Sequence, residues 1–354
     1  MAHPATHSSE STQREPDSAG PFRHAVLETV IATANRAPSI HNTQPWRWQL
    51  HADHLSLRAD RNRQLRIADP DGHSLLISCG AALVLTELGL RALGWEIETS
   101  RLPDPADPDL LAEFRVTGPG QLSTRDLELL AAAQRRQSDR RPFRRQEIAP
   151  QDIEALRGAA AGGGVHADFP ERQEQRVNLA VAVSSADRSE NQDSEYVAER
   201  NRWSHDSDVR ADGVPATAIP HVPAGKARHT DVPLRDFETG VSGRLLIERD
   251  VDERPVIAVL LTESDSALEQ LRAGESMMRL MLEAQVRGLA SCPLSQAVDL
   301  VAFRSRIRTL MGWQGFPQMM LRLGYPALDA AQVAETPRRP VADVLDVAPG
   351  VQQT

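Results

Sequence analysis

Two apolar segments bounded by glycine at one spacing limit most strongly how this chain can fold. Gly80–Gly94 and Gly274–Gly288 each run fourteen positions from glycine to glycine, the second 194 residues after the first. Ser74–Leu93 and Ala267–Val286 read as long helices stopped by Gly94 and Gly288. Their interiors are apolar on most faces, so each helix requires burial on more than one side. A strand follows each, near Glu113 and near Met319. The repetition points to two copies of one unit within the chain.

The other elements fit around that pair. Phe22, Val26, Leu27, Val30, Ile31 and Ala34 recur at helical spacing, predicting a helix over Phe22–Ala37 that Pro38 ends. Trp46–Leu50, Leu55–Leu57, Glu113–Thr117, Val256–Leu261 and Gln318–Leu323 read as strands, and Thr124–Gln134 and Pro150–Ala161 as helices. The expected layout is a polar, disordered tail over 1–20, a first unit over 21–123 and a second over 124–354. Residues about 188–250 interrupt the second unit with Pro215, Pro220, Pro223 and Pro233 and little periodicity. Tyr196, Trp203 and Phe237 in that stretch favour an ordered lid over a linker.

Composition narrows the function. No apolar run reaches the roughly 18 residues of a membrane span, and the polar N-terminus does not read as a secretory signal. Cys79 and Cys292 are the sole cysteines, which excludes a disulfide scaffold and predicts a reducing, cytoplasmic setting. A formal net charge of −9 argues against nucleic acid as a partner. Lys226 is the single lysine among 40 basic residues, so a bound phosphate must be held by arginine. Gly162, Gly163 and Gly164 form no dinucleotide fingerprint and read as a helix stop. Asp69 and Asp71 precede Gly72 as in a calcium loop, but Gly80 stands where the bidentate Glu belongs. The eleven histidines show no zinc spacing.

Three segments carry candidate chemistry. The stretch from Arg36 to Trp48 places Ser39, His41, Asn42 and Gln44 just beyond Pro38, either as a helix exit or as a pocket wall. Arg135–Arg145 holds six arginines in eleven positions, either a solvated basic run or an anion site. In extended chain Arg136, Ser138 and Arg140 share one side, and two guanidinium groups flanking a hydroxyl suit a phosphate dianion. Thr336-Pro-Arg-Arg-Pro340 near the C-terminus adds Arg338 and Arg339.

These segments resemble the nitroreductase family of FMN-dependent oxidoreductases, and more narrowly its Acg-like branch with two fused units. Pro38-Ser-Ile-His-Asn-Thr-Gln-Pro-Trp46 matches the family pattern P-S-x-x-N-x-Q-P-W, and Arg136-Gln-Ser-Asp-Arg140 matches R-x-S-x-R. The likeness covers roughly residues 22–347. It implies an α+β fold: two nitroreductase-like units forming an intramolecular pseudo-dimer around a helical interface, each with a mixed or antiparallel sheet.

The resemblance also implies one FMN per chain. Pro38, Ser39, His41, Asn42 and Gln44 from the first unit, with Arg136, Ser138, Arg140, Arg338 and Arg339 from the second, complete one site. The reciprocal site lacks both motifs. Arg136, Arg140 and Arg338 would neutralise the phosphate, with Arg339 as helper or structural neighbour. Ser39, Asn42 and Ser138 would bind ribityl or ring atoms. Pro293, Leu294, Ser295 and Gln296 occupy the place of the family's loop beside flavin N5, with Ser295-Gln296 replacing a Glu-Gly pair. The implied activity is NAD(P)H-linked two-electron reduction of a nitroaromatic or quinone-like acceptor, the flavin carrying the chemistry with no metal. A rival implication is a flavin carrier whose lid blocks turnover. The chain would be a monomer built as a pseudo-dimer, or would dimerise further.

Overall fold

A computed structural model describes residues 24–207, 209–221, 232–247, 253, 255–326, 333–349 and 351. The expected tail over 1–20, together with Pro223, Lys226 and other parts of the insert, lies outside these residues. Helix α1 (His24–Ala34) buries Leu27, Val30, Ile31 and Ala34 at helical spacing and ends ahead of Pro38. Strand β1 (Trp46–Leu50) alternates buried and half-buried positions and pairs antiparallel with β2 (Leu55–Ala59). Trp46 and Trp48 are fully buried, and their indole N–H groups donate to Asn35 Oδ1 at 2.8 Å and Thr86 Oγ1 at 3.2 Å. Asp69 opens α2 (His73–Ala92) by accepting from the Ser74 and Leu75 N–H groups. Strands β3 (Trp95–Arg101) and β4 (Leu110–Pro119) follow. A Ser123–Asp126 capping box starts α3 (Thr124–Arg135), and a proline in the first turn starts α4 (Pro150–Ala160). That helix stops just before Gly162, as expected.

The second half continues with β5 (His166–Asp168), α5 (Gln173–Gln192) and α6 (Ser194–Arg202). Two parallel two-residue pairings follow, β6 (Ser204–His205) with β7 (Val214–Pro215), and β8 (Pro220–His221) with β9 (Leu245–Leu246). Then come β10 (Val256–Thr262), α7 (Ala267–Val286), β11 (Ala290–Leu294), α8 (Gln296–Asp299), α9 (Val301–Met311), β12 (Phe316–Gly324) and β13 (Leu345–Val347). The insert therefore begins as regular helix, contrary to expectation. Leu179, Ala182, Val183 and Ala186, just ahead of the insert, form the buried stripe of the helix α5 that runs into it, and the Asp193 carboxylate caps α6.

The two sheets share one strand order. The first runs β1-β2-β4-β3 and the second β5-β10-β12-β11, with every one of these neighbours antiparallel. A long helix joins the second and third strands in each, α2 in one and α7 in the other. Strand β13 adds to the first sheet beside β1, in parallel, so the C-terminus of the chain completes the sheet nearest its start. The unbroken apolar run of β10 reflects burial on both faces. Ala258 and Leu260 enter the main core, whereas Ile257, Val259 and Leu261 enter a second core with α5, α8 and α9.

Helices α2 and α7 cross at the centre of the main core, which also takes side chains from α1, α3 and α4. By length and composition α2 alone among the described residues passes for a membrane span, where the sequence reading found no such run. Seventeen of its twenty residues are buried inside the protein.

Candidate active site

Stretches of chain remote in sequence converge on one cavity. A space of about 690 Å³, the open solvent at its mouth included, is walled by Pro38, Ser39, His41, Ser138, Arg140 and Pro293–Gln296. Met277 and Met319 from α7 and β12 also line it, as do Cys292 of β11 and Leu234, Arg235 and Phe237 of the insert. An adjoining space of about 390 Å³ shares Pro38, Ser39, Ser138 and Arg140, and adds Asn42, Arg136 and Arg338. Of the residues expected at the site, only Gln44 and Arg339 line neither space.

The loop after α1 is held in a costly conformation. His41, Asn42 and Gln44 have φ of 45°, 54° and 50°, left-handed values that cost of order 1–3 kcal/mol each for residues other than glycine. Hydrogen bonds over-determine the loop. The Ile40 N–H donates to Ser78 Oγ at 3.1 Å and the Gln44 N–H to Ser39 Oγ at 2.9 Å. The Asn42 amide donates to the carbonyls of Gly213 and Pro337, and the Gln44 amide to that of Ala211. Gln44 is thus a brace, and its Oε1 accepts from the Arg339 N–H at 2.8 Å. The Arg339 guanidinium points away from the cavity, donating to the carbonyls of Gln44, Trp46 and Asp343.

Two guanidinium groups meet at the smaller space, whose lining holds no carboxylate among the described residues; Glu335, paired with Arg36, acts on Arg338 from outside it. Arg136 is 3 % exposed, and its single hydrogen bond runs from Nη2 to the Arg36 carbonyl. Its Nε and Nη1 are buried with no hydrogen-bond partner among the described residues. Arg338 donates to the carbonyls of Asn35, Arg36 and Ala37, which lie at the C-terminal end of α1 where a cation is favoured. Burial, with the charge of Arg36 beside it, pulls the Arg136 guanidinium down to about 10. Burial and then the charges of Arg136 and Arg36 pull Arg338 down to about 9. A cation this desolvated and this close to like charge calls for an anion. Arg140 lines both spaces; it donates to the Ala218 carbonyl and stacks over Phe237 at 5.2 Å.

Through Arg235 the insert brings to the larger space a buried ion cluster that no motif announced. Arg235 donates to Asp299 at 2.7 Å and to Glu190 at 3.1 Å, and the Ser74 and Ser295 hydroxyls also donate to Asp299. Two carboxylates share one cation here, and burial pushes Glu190 up to about 7. Arg235 lay unread in a stretch without periodicity, where a lone arginine has no pattern to mark it. Trp203 does not face the cavity but lies beneath Arg63, 5.3 Å away.

Residues 133–325 match the model of the nitroreductase family. The chain belongs to that family. It is 36% identical, over 91% of both chains, to Rv3131 of Mycobacterium tuberculosis, provisionally named an NAD(P)H nitroreductase. It is 31% identical to the Acg protein of the same organism, over 91% of this chain and 96% of that one. That relative carries the same provisional name. Among solved structures, a Bacteroides fragilis nitroreductase with bound FMN aligns over 59% of this chain and 94% of its own, at 17% identity and a TM-score of 0.37. By the family model and the Mycobacterium tuberculosis relatives, the α+β architecture described above is that of a nitroreductase-family protein.

Proposed function

We propose that this chain is an FMN-binding oxidoreductase that takes electrons from NADH or NADPH and reduces nitroaromatic or quinone-like acceptors, with one flavin per chain. The observation that carries the reading is Arg136, a buried guanidinium with two donor atoms unpartnered among the described residues, on a wall shared with Ser39, Ser138 and Arg338. That donor set fits a phosphate dianion at the end of a longer, mostly apolar cavity. When bound, FMN supplies two-electron hydride transfer. Arg136 would donate to its phosphate, with Arg338, whose donors serve backbone carbonyls, adding positive charge beside it. Ser39 and Ser138 would hold its polar atoms, Asn42 would offer its side-chain oxygen as an acceptor, and Pro293–Gln296 would border its ring. The protein's own contribution is orientation, charge and exclusion of water.

The two-unit reading is supported by the shared strand order and by the matching glycine pairs on α2 and α7. The single flavin is supported by what occupies the opposite half. Arg101 stands at the same sequence distance from Gly80 as Ser295 does from Gly274. It is tied to the buried Glu275 at 2.7 Å and to Glu87 at 3.2 Å, so ions fill that position. In place of the loop from Pro38 to Asn42, Gly162–Gly164 lie beside Arg272 and Arg279. Two unpaired, buried cysteines agree with a cytoplasmic setting.

The test is the flavin-to-chain ratio of the purified protein, followed by NADPH and NADH oxidation with nitrofurazone or menadione. A ratio near one with turnover is the expected result, and protein that neither retains nor takes up FMN would overturn the reading. A second reading, a protein that holds flavin under a closed lid with little turnover, is favoured by Leu234, Arg235 and Phe237 of the insert lining the cavity. One flavin per chain and no oxidation of either nicotinamide would select it.

A further inference from the structure

His41 is held where three constraints meet. Its left-handed backbone and 4 % exposure leave the ring little freedom. The ring meets Phe237 edge-on, centroids 5.3 Å apart, on the side of the cavity covered by the insert. Its Nε2 lies 3.1 Å from Arg235 Nη1. A guanidinium can only donate, so Nε2 must accept, and the imidazole is neutral with its proton on Nδ1. Arg235 has nothing left for a ligand, because its nitrogens already serve Glu190, Asp299, Ser295 and His41. The free donor on this wall is the Nδ1–H of His41, buried with no partner among the described residues.

We propose that His41 is a neutral hydrogen-bond donor that recognises the carbonyl or nitro oxygen of the aromatic acceptor, and that Arg235 is the positioning residue that sets its tautomer. The proposal rests on reading the cavity as a flavin site. Burial, with Arg235, Arg200 and Arg140 nearby, holds His41 well below the usual histidine range, while Glu190 and Asp299 face Arg235 rather than the imidazole. His41 gives a hydrogen bond and keeps its proton, so acceptor binding carries no titration of this ring near neutral pH. Because Arg235 comes from the insert, covering the cavity and preparing the donor are one event.

The experiment uses the full chain loaded with FMN. Nitrofurazone and menadione are titrated against the oxidised protein, without nicotinamide, by quenching of flavin fluorescence. His41→Ala is expected to weaken both probes roughly tenfold, the worth of one hydrogen bond, and to weaken them more than it weakens FMN. His41→Asn, which keeps a donor and tolerates the backbone, is expected to recover most of the loss. Histidine ¹⁵N shifts should show a protonated Nδ1 at neutral pH, and Arg235→Ala should let His41 titrate closer to the usual range. Unchanged probe affinity in His41→Ala, or FMN affinity falling in parallel with it, would overturn the proposal. Wild-type protein that binds no FMN defeats the functional reading instead. In that case the ¹⁵N shifts of the flavin-free chain still decide the tautomer, and protonation at Nε2 would overturn that part.

Discussion

Gly80 and Gly274 face each other across the crossing of α2 and α7, and each is closed against the backbone of the opposite helix. A Cβ on Gly80 would strike the Leu271 carbonyl oxygen, and one on Gly274 the Ile77 carbonyl oxygen. Each glycine meets the residue three positions before the other, the reciprocity of a two-fold contact formed within one chain. The obstacle in both directions is backbone, which cannot rotate aside.

Gly80→Ala and Gly274→Ala are therefore expected to destabilise the fold by about 1–3 kcal/mol or more through overpacking. Gly158→Ala in α4, where an added Cβ meets nothing within 4 Å, should instead stabilise by about 0.5–1 kcal/mol through helix propensity. Urea denaturation of the three variants checks the contrast. Equal midpoints would mean the helix crossing gives way more easily than its geometry indicates.

Arg136→Ala should weaken FMN roughly 10- to 100-fold, since a hydrogen bond to a charged group contributes about 1.5–3 kcal/mol. Arg339→Ala should leave FMN affinity nearly unchanged, because its guanidinium serves backbone carbonyls outside the cavity. Fluorescence titration of both variants separates a phosphate ligand from a loop brace.

Glu190 gives the protein a pH dependence with a definite sign. Its folded value of about 7 lies above the ordinary 4.5, so the folded state binds more protons than the unfolded chain across that interval. Its stabilising contribution is complete below about pH 4.5 and is lost as pH rises through 7. Arg235, Asp299 and Tyr196 surround it. Glu190→Gln should flatten the stability profile between pH 5 and 8, measured by denaturation at each pH. A profile that rises with pH in the wild type and is unaltered in the variant would contradict this.

Phe237→Ala should open the covered side of the cavity. Phe237 is 5 % exposed, packs with Val214, Ala218 and Ile219, and carries the Arg140 stack. With FMN bound, iodide should quench the variant's fluorescence more steeply than the parent's. Identical quenching with flavin retained would mean that the insert does not shield the ring.

Much of the frame was legible before any coordinates. Local physics decides helix and strand where periodicity is strong: Ala267–Val286 needs no tertiary context, and the apolar run at Val256 predicts a buried strand. The motif from Pro38 to Trp46 and the pair Arg136–Arg140 mark in sequence two of the segments that line the cavity. What tertiary structure decided is which donors stay free. Arg339 bears the same chemistry as Arg136, yet its hydrogen bonds are consumed by carbonyls that only folding brings near. Arg235 shows the converse. It is silent in sequence because its partners, Glu190, His41 and Asp299, lie 45, 194 and 64 residues away. A side chain's type states what it can bond to; long-range packing determines which bonds are already made.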